Sequence, residues 1–213
     1  MINLQFITHE TARYSYADSA HMALEGGCKW IQLRMKGASK EDIIAVSQIV
    51  EPMCRKHQAA FIIDDHVELV KEIHADGVHL GQLDMRVDEA RRILGNDYII
   101  GGTANTFEEV ELHWERGCDY VGCGPYRFTT TKKNLAPVLG LSGYEQILAC
   151  MEKKNIRIPL IAIGGIKEDD ILPLLNAGIG GIALSSTVLQ AENPIEEMNR
   201  IMNIVLSNKN LNK

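Results

Sequence analysis

The segment Gly122-Cys123-Gly124-Pro125-Tyr126-Arg127-Phe128-Thr129-Thr130-Thr131-Lys132-Lys133 gathers the residue types that hold an anion. Its glycines let backbone approach a ligand closely. The hydroxyls of Thr129, Thr130 and Thr131 and free backbone N–H groups donate to phosphate oxygens, and Lys132 adds compact positive charge. Tyr120-Val121 just before it reads as a buried strand, so the loop opens from a strand's C-terminal end. Alone, the stretch is also compatible with a polar surface loop. Other segments decide the matter.

In Gln32-Leu33-Arg34-Met35-Lys36 the polar side chains alternate. On a strand, Gln32, Arg34 and Lys36 therefore share one face, and Leu33 and Met35 the other. Two more apolar runs end in carboxylates: Phe61-Ile62-Ile63-Asp64-Asp65-His66 and Gly77-Val78-His79-Leu80-Gly81-Gln82-Leu83-Asp84. Carboxylates on adjacent strand ends, without cysteine ligands nearby, suit a hard divalent ion such as Mg2+ completed by water and phosphate oxygens. Strand alternation sends Asp64 and Asp65 in opposite directions, so one meets the metal and the other lines the pocket or caps the turn. His79, among apolar neighbours, reads as a satisfied core histidine. Thr103 follows another apolar run and is placed to donate to a ligand. Gly164-Gly165 and Ser185-Ser186 follow the last two runs and supply backbone N–H groups and hydroxyls for a second anion.

The elements that must position these groups recur regularly. Short apolar runs at 4–8, 30–33, 61–64, 77–80, 99–102, 120–123, 160–163 and 181–184 read as eight strands. Amphipathic stretches with helix signals lie between them. Residues 16–25 stop at Gly26-Gly27, Ser39 caps a helix with acids in its first turn, and Thr106 with Glu109 forms a capping box. Residues 88–94 end at Gly95, 167–177 at Gly178, and 194–205 begin at Pro194. Only the link at 67–73 is short. Eight strand–helix repeats in about 200 residues predict a (β/α)8 TIM barrel, in which chemistry sits at the C-terminal ends of the strands. An open doubly wound sheet is the alternative. With no linker composition, residues 1–206 read as one domain and 207–213 as a flexible tail.

A net charge of −6 argues against a nucleic-acid partner, so phosphate affinity must be local. No apolar run approaches the about 20 residues of a membrane helix. Five cysteines without CxxC spacing and an N-terminus unlike a signal peptide are expected of a reduced, cytoplasmic protein. Oligomeric state is left open, a homo-oligomer included. Two anion sites over one barrel fit two phosphorylated substrates. A metal-bound diphosphate is a leaving group, so transfer of a carbon group off diphosphate is the expected chemistry.

Taken together, Gln32 to Lys36, Asp64-Asp65, Ala75 to Asp84, Gly124-Pro125 with Thr129 to Lys132, Ala162 to Ile166 and Ser185-Ser186 resemble the thiamine-phosphate synthase family, in that family's order. The resemblance implies a reaction between a hydroxymethylpyrimidine diphosphate and a hydroxyethylthiazole phosphate, giving thiamine phosphate and pyrophosphate. It implies that Asp65 and Asp84 bind one Mg2+. The pyrimidine diphosphate would be held by Gln32, Leu33, Arg34, Met35, Lys36, Asp64, Thr103 and Lys132. The thiazole phosphate would be held by Thr129, Thr131, Gly165, Ser185 and Ser186, with Thr130 also among the substrate-binding residues. Arg34, Lys36 and Lys132 would stabilise the departing pyrophosphate, with no nucleophilic side chain needed. The chain departs from the family's usual pattern at Asp64 (usually Asn), Thr103 (usually Ser) and Ser185 (usually aliphatic). A thiazole tautomerase-like relative and a non-catalytic phosphate or thiamine binder are the competing readings. Retention of Arg34, Lys36, Asp65, Asp84 and Lys132 argues against the tautomerase.

Overall fold

A computed structural model describes residues 4–128 and 137–211. Thr129, Thr130, Thr131 and Lys132 lie outside the described residues. Eight parallel strands close into a barrel: β1 (Leu4–Ile7), β2 (Trp30–Leu33), β3 (Ala60–Asp64), β4 (Gly77–Leu80), β5 (Ile99–Ala104), β6 (Tyr120–Cys123), β7 (Leu160–Ile163) and β8 (Gly181–Leu184), with β8 paired back onto β1. The helices are α1 (Tyr16–Glu25), α2 (Lys40–Lys56), α3 (Val87–Leu94), α4 (Phe107–Glu115), α5 (Gly140–Lys153), α6 (Glu168–Asn176), α7 (Ser186–Leu189) and α8 (Pro194–Leu211). The short link between β3 and β4 holds only a 3₁₀ turn, Val67–Leu69. The architecture is the expected TIM barrel and not the open sheet.

Local chemistry explains the helix starts. Ser15 and Asp18 form a capping box on α1, and Thr106 with Glu109 forms the one read from the sequence on α4. The Ser39 hydroxyl accepts from Asp42 N at the start of α2. Each such cap contributes about 1 kcal/mol by satisfying N–H groups that have no partner inside the helix. Residues from Ser207 read as a frayed tail, yet α8 runs through Leu211. Neither glycine nor proline interrupts that stretch, and Asn208 Nδ2 donates to Asn176 Oδ1 at 2.9 Å, tying the helix end to the end of α6.

Strand alternation builds two cores. Outward residues such as Leu4, Phe6, Ile31, Leu33, Phe61 and Ile63 pack under the helices. Inward residues Ile7, Trp30, Ile62, Tyr120, Ile161 and Ala183 fill the barrel, with Trp30 edge-on to Tyr120 at 4.7 Å between ring centroids. The glycines of β5 make room on both sides. A Cβ at Gly101 would stand 2.2 Å from Tyr120 Cζ inside, and one at Gly102 would stand 2.7 Å from the His113 ring outside. Gly77 is tighter still, because its Cβ would lie 1.9 Å from Ile99 O. Backbone cannot yield there as a flexible side chain can. Gly77→Ala is therefore expected to destabilise the barrel by about 3 kcal/mol. The check is a lower urea midpoint at unchanged m-value.

All five cysteines are free, and four are buried. Burial pushes the Cys28 thiol up to about 11 and those of Cys54, Cys118 and Cys123 up to about 12, so these four are inert at neutral pH.

Candidate active site

The strand ends place the candidate residues on one rim. Parallel register sets Gln32 beside Ile62, Asp64 beside His79, and Thr103 beside Gly122. Gln32 is buried inside the barrel mouth, and its Nε2 donates to Asp64 Oδ1 at 2.7 Å. Arg34 Nε lies 3.4 Å from Asp64 Oδ2. Lys36 Nζ lies 3.6 Å from Asp64 Oδ2 and 2.5 Å from Asp65 Oδ2. The three alternating polar residues thus converge as the period-two pattern requires. Leu33 and Met35, grouped with the substrate-binding stretch, face away: Leu33 belongs to the outer core and Met35 packs against it. Their side chains pack outward by the same alternation that aims their neighbours inward.

Asp64 and Asp65 correct another expectation. They do not diverge, since both reach Lys36. The strand ends at Asp64, and Asp65 adopts a left-handed φ of 68°, which breaks the alternation. Asp84 arrives from the β4 loop. Its Oδ2 accepts from Gly81 N at 2.7 Å, and a Cβ at Gly81 would lie 2.7 Å from the same oxygen, so a side chain there would displace the Asp84 carboxylate. Asp65 and Asp84 are close enough for each carboxyl to act on the other's protonation.

Three carboxylates face two cations here, and the protonation balance shows the strain. Burial, then the neighbouring Asp65 charge, pushes Asp64 up to about 7 against the pull of Lys36 and Arg34. Burial and the neighbouring Asp84 carboxyl raise Asp65. Burial also works against ionisation of Asp84, but the neighbouring Asp65 carboxyl, Gly81 N–H and Lys36 together hold it below the usual carboxylate range. Lys36 loses solvation, yet its Asp65 hydrogen bond and the surrounding carboxylates hold it charged well above neutral pH. Asp65 Oδ1 is buried with no hydrogen-bond partner among the described residues. An orphaned carboxylate oxygen beside a second carboxylate fits a small hard cation. Among the described residues no group of three or more His, Cys, Asp or Glu side chains gathers to hold a metal. Asp65 and Asp84 are the two carboxylates that could serve a Mg2+ site completed by water and phosphate.

His79 is the core histidine expected, but it does more than fill space. Its Nδ1 pairs with Tyr120 OH at 3.0 Å and its Nε2 with Thr103 Oγ1 at 2.9 Å, while Gln5 Nε2 donates to Tyr120 OH at 3.2 Å. A buried chain of hydrogen bonds from Gln5 therefore orients the Thr103 hydroxyl at the rim. Neither Gln5 nor Tyr120 stood out in the sequence; their inward positions were legible from strand alternation, but their meeting across the barrel was not.

Across the mouth, Gly164 and Gly165 take left-handed φ of 97° and 66°. Arg127 N donates to Gly164 O at 2.9 Å. Thr187 Oγ1 donates to Ile166 O at 2.6 Å, joining the β7 turn to α7, the short helix that begins at Ser186. Ser185 Oγ is buried without a partner among the described residues. Gly165, Ser185 and Ser186 are thereby brought to one side of the barrel mouth, opposite the carboxylate cluster on β3 and β4. The Arg127–Asp170 ion pair beside Gly165, and Asn105, whose Nδ2 donates to Gly124 O, are site-proximal residues that the sequence reading missed.

A parallel eight-stranded barrel with a cationic, carboxylate-rich cluster over β2–β4 and a glycine and hydroxyl cluster over β7–β8 defines a (β/α)8 enzyme of the phosphate-handling kind. A family model described as thiamine monophosphate synthase matches residues 4–188. A thiamine-phosphate synthase of Bacteroides fragilis is 60% identical over 204 residues, covering 96% of this chain and 100% of its own. One from Phocaeicola vulgatus is 58% identical, covering 95% and 98%. The solved structure of thiamine phosphate pyrophosphorylase from Pyrococcus furiosus superposes with a TM-score of 0.83 at 34% identity, covering 96% of this chain and 97% of that one. The chain belongs to the thiamine monophosphate synthase family.

Proposed function

We propose that this chain joins 4-amino-2-methyl-5-(diphosphooxymethyl)pyrimidine to 4-methyl-5-(2-phosphooxyethyl)thiazole, releasing pyrophosphate and forming thiamine phosphate. The observation that carries this reading is the rim cluster itself. Arg34 pairs with Asp64, Lys36 reaches both Asp64 and Asp65 within the field of Asp84, and one Asp65 oxygen is buried and unpartnered. Asp65 and Asp84 would hold Mg2+, which supplies positive charge to the diphosphate. Arg34 and Lys36, with Lys132, bind the diphosphate oxygens and stabilise the charge that grows on them as the methylene C–O bond breaks. The bonding pair leaves with pyrophosphate, and the aminopyrimidine ring bears the resulting positive charge. Thr103, oriented by His79, faces the pyrimidine side. Gly165, Ser185, Ser186 and the threonines 129–131 anchor the thiazole phosphate, so the thiazole nitrogen stands ready to form the new C–N bond. Asp64 acts beneath the site: both of its oxygens engage Gln32, Arg34 or Lys36, aligning the cations. No side-chain nucleophile takes part.

Reduced buried thiols support a cytoplasmic setting. Among the described residues no helix is long and apolar enough to cross a membrane. The decisive experiment mixes the purified protein with both substrates and Mg2+, following pyrophosphate release and product mass. Thiamine phosphate formed with equimolar pyrophosphate is the expected result. Binding of both substrates without product would overturn it in favour of a tautomerase-like enzyme or a binding module.

A further inference from the structure

Beyond β6 the chain runs along the β7 turn as if adding to the sheet. Tyr126 N donates to Ile163 O at 2.8 Å and Arg127 N to Gly164 O at 2.9 Å. The Arg127 guanidinium then forks onto Asp170, Nη1 to Oδ2 at 2.6 Å and Nη2 to Oδ1 at 2.9 Å. Nη1 also donates to Gly165 O at 3.2 Å. Asp170 is buried at the start of α6, where its Oδ2 accepts from Lys167 N at 2.8 Å and its Oδ1 accepts from Tyr126 OH at 3.3 Å. One carboxylate therefore ties together the segment leaving β6, the first turn of α6 and, through Arg127, the Gly165 carbonyl.

The turn needs such a brace. Two successive glycines in left-handed conformation have many alternatives available, and nothing in their own side chains selects one. The surroundings leave no space for a larger residue: a Cβ at Gly164 would lie 2.8 Å from Pro125 Cβ, and one at Gly165 would lie 3.0 Å from Phe128 O. Arg127 reaches Asp170 and Gly165 O with its guanidinium, so its hydrogen bonds point at the turn and its support.

We infer that Arg127 and Asp170 form a positioning pair that holds the Gly164–Gly165 turn in the shape that receives the thiazole phosphate. The inference rests on the reaction proposed above and adds a pair of residues to it. Arg127 acts through the turn, so its loss weakens one substrate and spares the chemistry. Asp170 also caps α6, which makes Arg127 the better residue to change.

The test compares wild type, Arg127→Ala and Arg127→Lys in steady-state kinetics with each substrate varied, alongside thermal melting. The KM for the thiazole phosphate is expected to rise about tenfold in Arg127→Ala, the worth of roughly one charge-assisted hydrogen bond. The kcat and the KM for the pyrimidine diphosphate should stay within about twofold of wild type. Lysine should restore part of the loss, because it reaches one carboxylate oxygen but cannot fork. A lowered melting temperature with unchanged KM values would reduce the pair to a structural brace and overturn the inference. So would a fall in kcat alone, which would place Arg127 on the reacting groups. If wild type makes no thiamine phosphate, the proposed reaction fails separately. The Gly165 amide resonance, followed during titration with inorganic phosphate, then tests the pair by itself. A shift in wild type that is absent in Arg127→Ala supports it; no shift in wild type, or equal shifts in both, overturns it.

Discussion

Asp84→Ala is expected to lower thiamine phosphate formation by about a thousandfold, equivalent to about 4 kcal/mol of transition-state stabilisation. Removing it leaves Asp65 as the sole carboxylate of the proposed metal pair and strips Gly81 N of its acceptor at 2.7 Å. The second effect needs its own control. Asp84→Asn keeps a side-chain oxygen for Gly81 N and keeps the volume, but carries no charge. If charge is what matters, the asparagine variant fails nearly as badly as alanine and requires far more Mg2+ for its residual rate. Pyrophosphate release measured against Mg2+ concentration decides. An asparagine variant with wild-type turnover and Mg2+ dependence would remove Asp84 from the metal site and leave it a turn-stabilising residue.

Lys36→Met should act at the same place in the opposite electrostatic sense. Lys36 Nζ sits between Asp64 and Asp65, 3.6 Å from the first and 2.5 Å from the second, so without substrate its charge is shared by both carboxylates. In the reaction it has to exchange Asp65 for the diphosphate oxygens. Methionine keeps most of the aliphatic stem and removes the charge. The kcat/KM for the pyrimidine diphosphate is expected to fall about a hundredfold, the usual cost of losing one preorganised donor to developing negative charge. Mg2+ binding to the substrate-free protein should become no weaker, because a competing cation has left Asp65. Calorimetric titration with Mg2+ separates the two effects. Unchanged turnover would take Lys36 out of the leaving-group path, and weaker Mg2+ binding would refute the competition between Lys36 and the metal. Lys36→Arg should recover part of the rate, since charge is retained but the guanidinium is bulkier and less compact than an ammonium.

Much of this protein was legible in its residues because local periodicity reports which way a side chain faces. The eight apolar runs became eight strands with bounds shifted by at most two residues, and Tyr16–Glu25 formed the helix its stop signal predicted. Alternation alone put Gln32, Arg34 and Lys36 on one face and Leu33 on the other. The short α7 was not foreseen: four residues contain too little pattern to announce a helix, and it forms where the barrel end supports it.

Contacts between strand ends were a different matter. Periodicity does not encode the backbone at the residue after a strand, so the φ of 68° that swings Asp65 toward Lys36 beside Asp64 could not be read in advance. Nor does sequence distance say which side chains meet inside a closed barrel. Gln5 and Tyr120 are 115 positions apart, and Arg127 and Asp170 are 43 apart. The first pair meets across the closed barrel interior, and the second because β6 and β7 are paired neighbours whose following segments pack together. The sequence by itself determined the fold class, the faces of the strands and the chemical types gathered at the rim. Only the tertiary structure decided which carboxylate each cation holds, how Thr103 is oriented, and what braces the Gly164–Gly165 turn, because those depend on register and loop conformation set by the packing of the whole barrel.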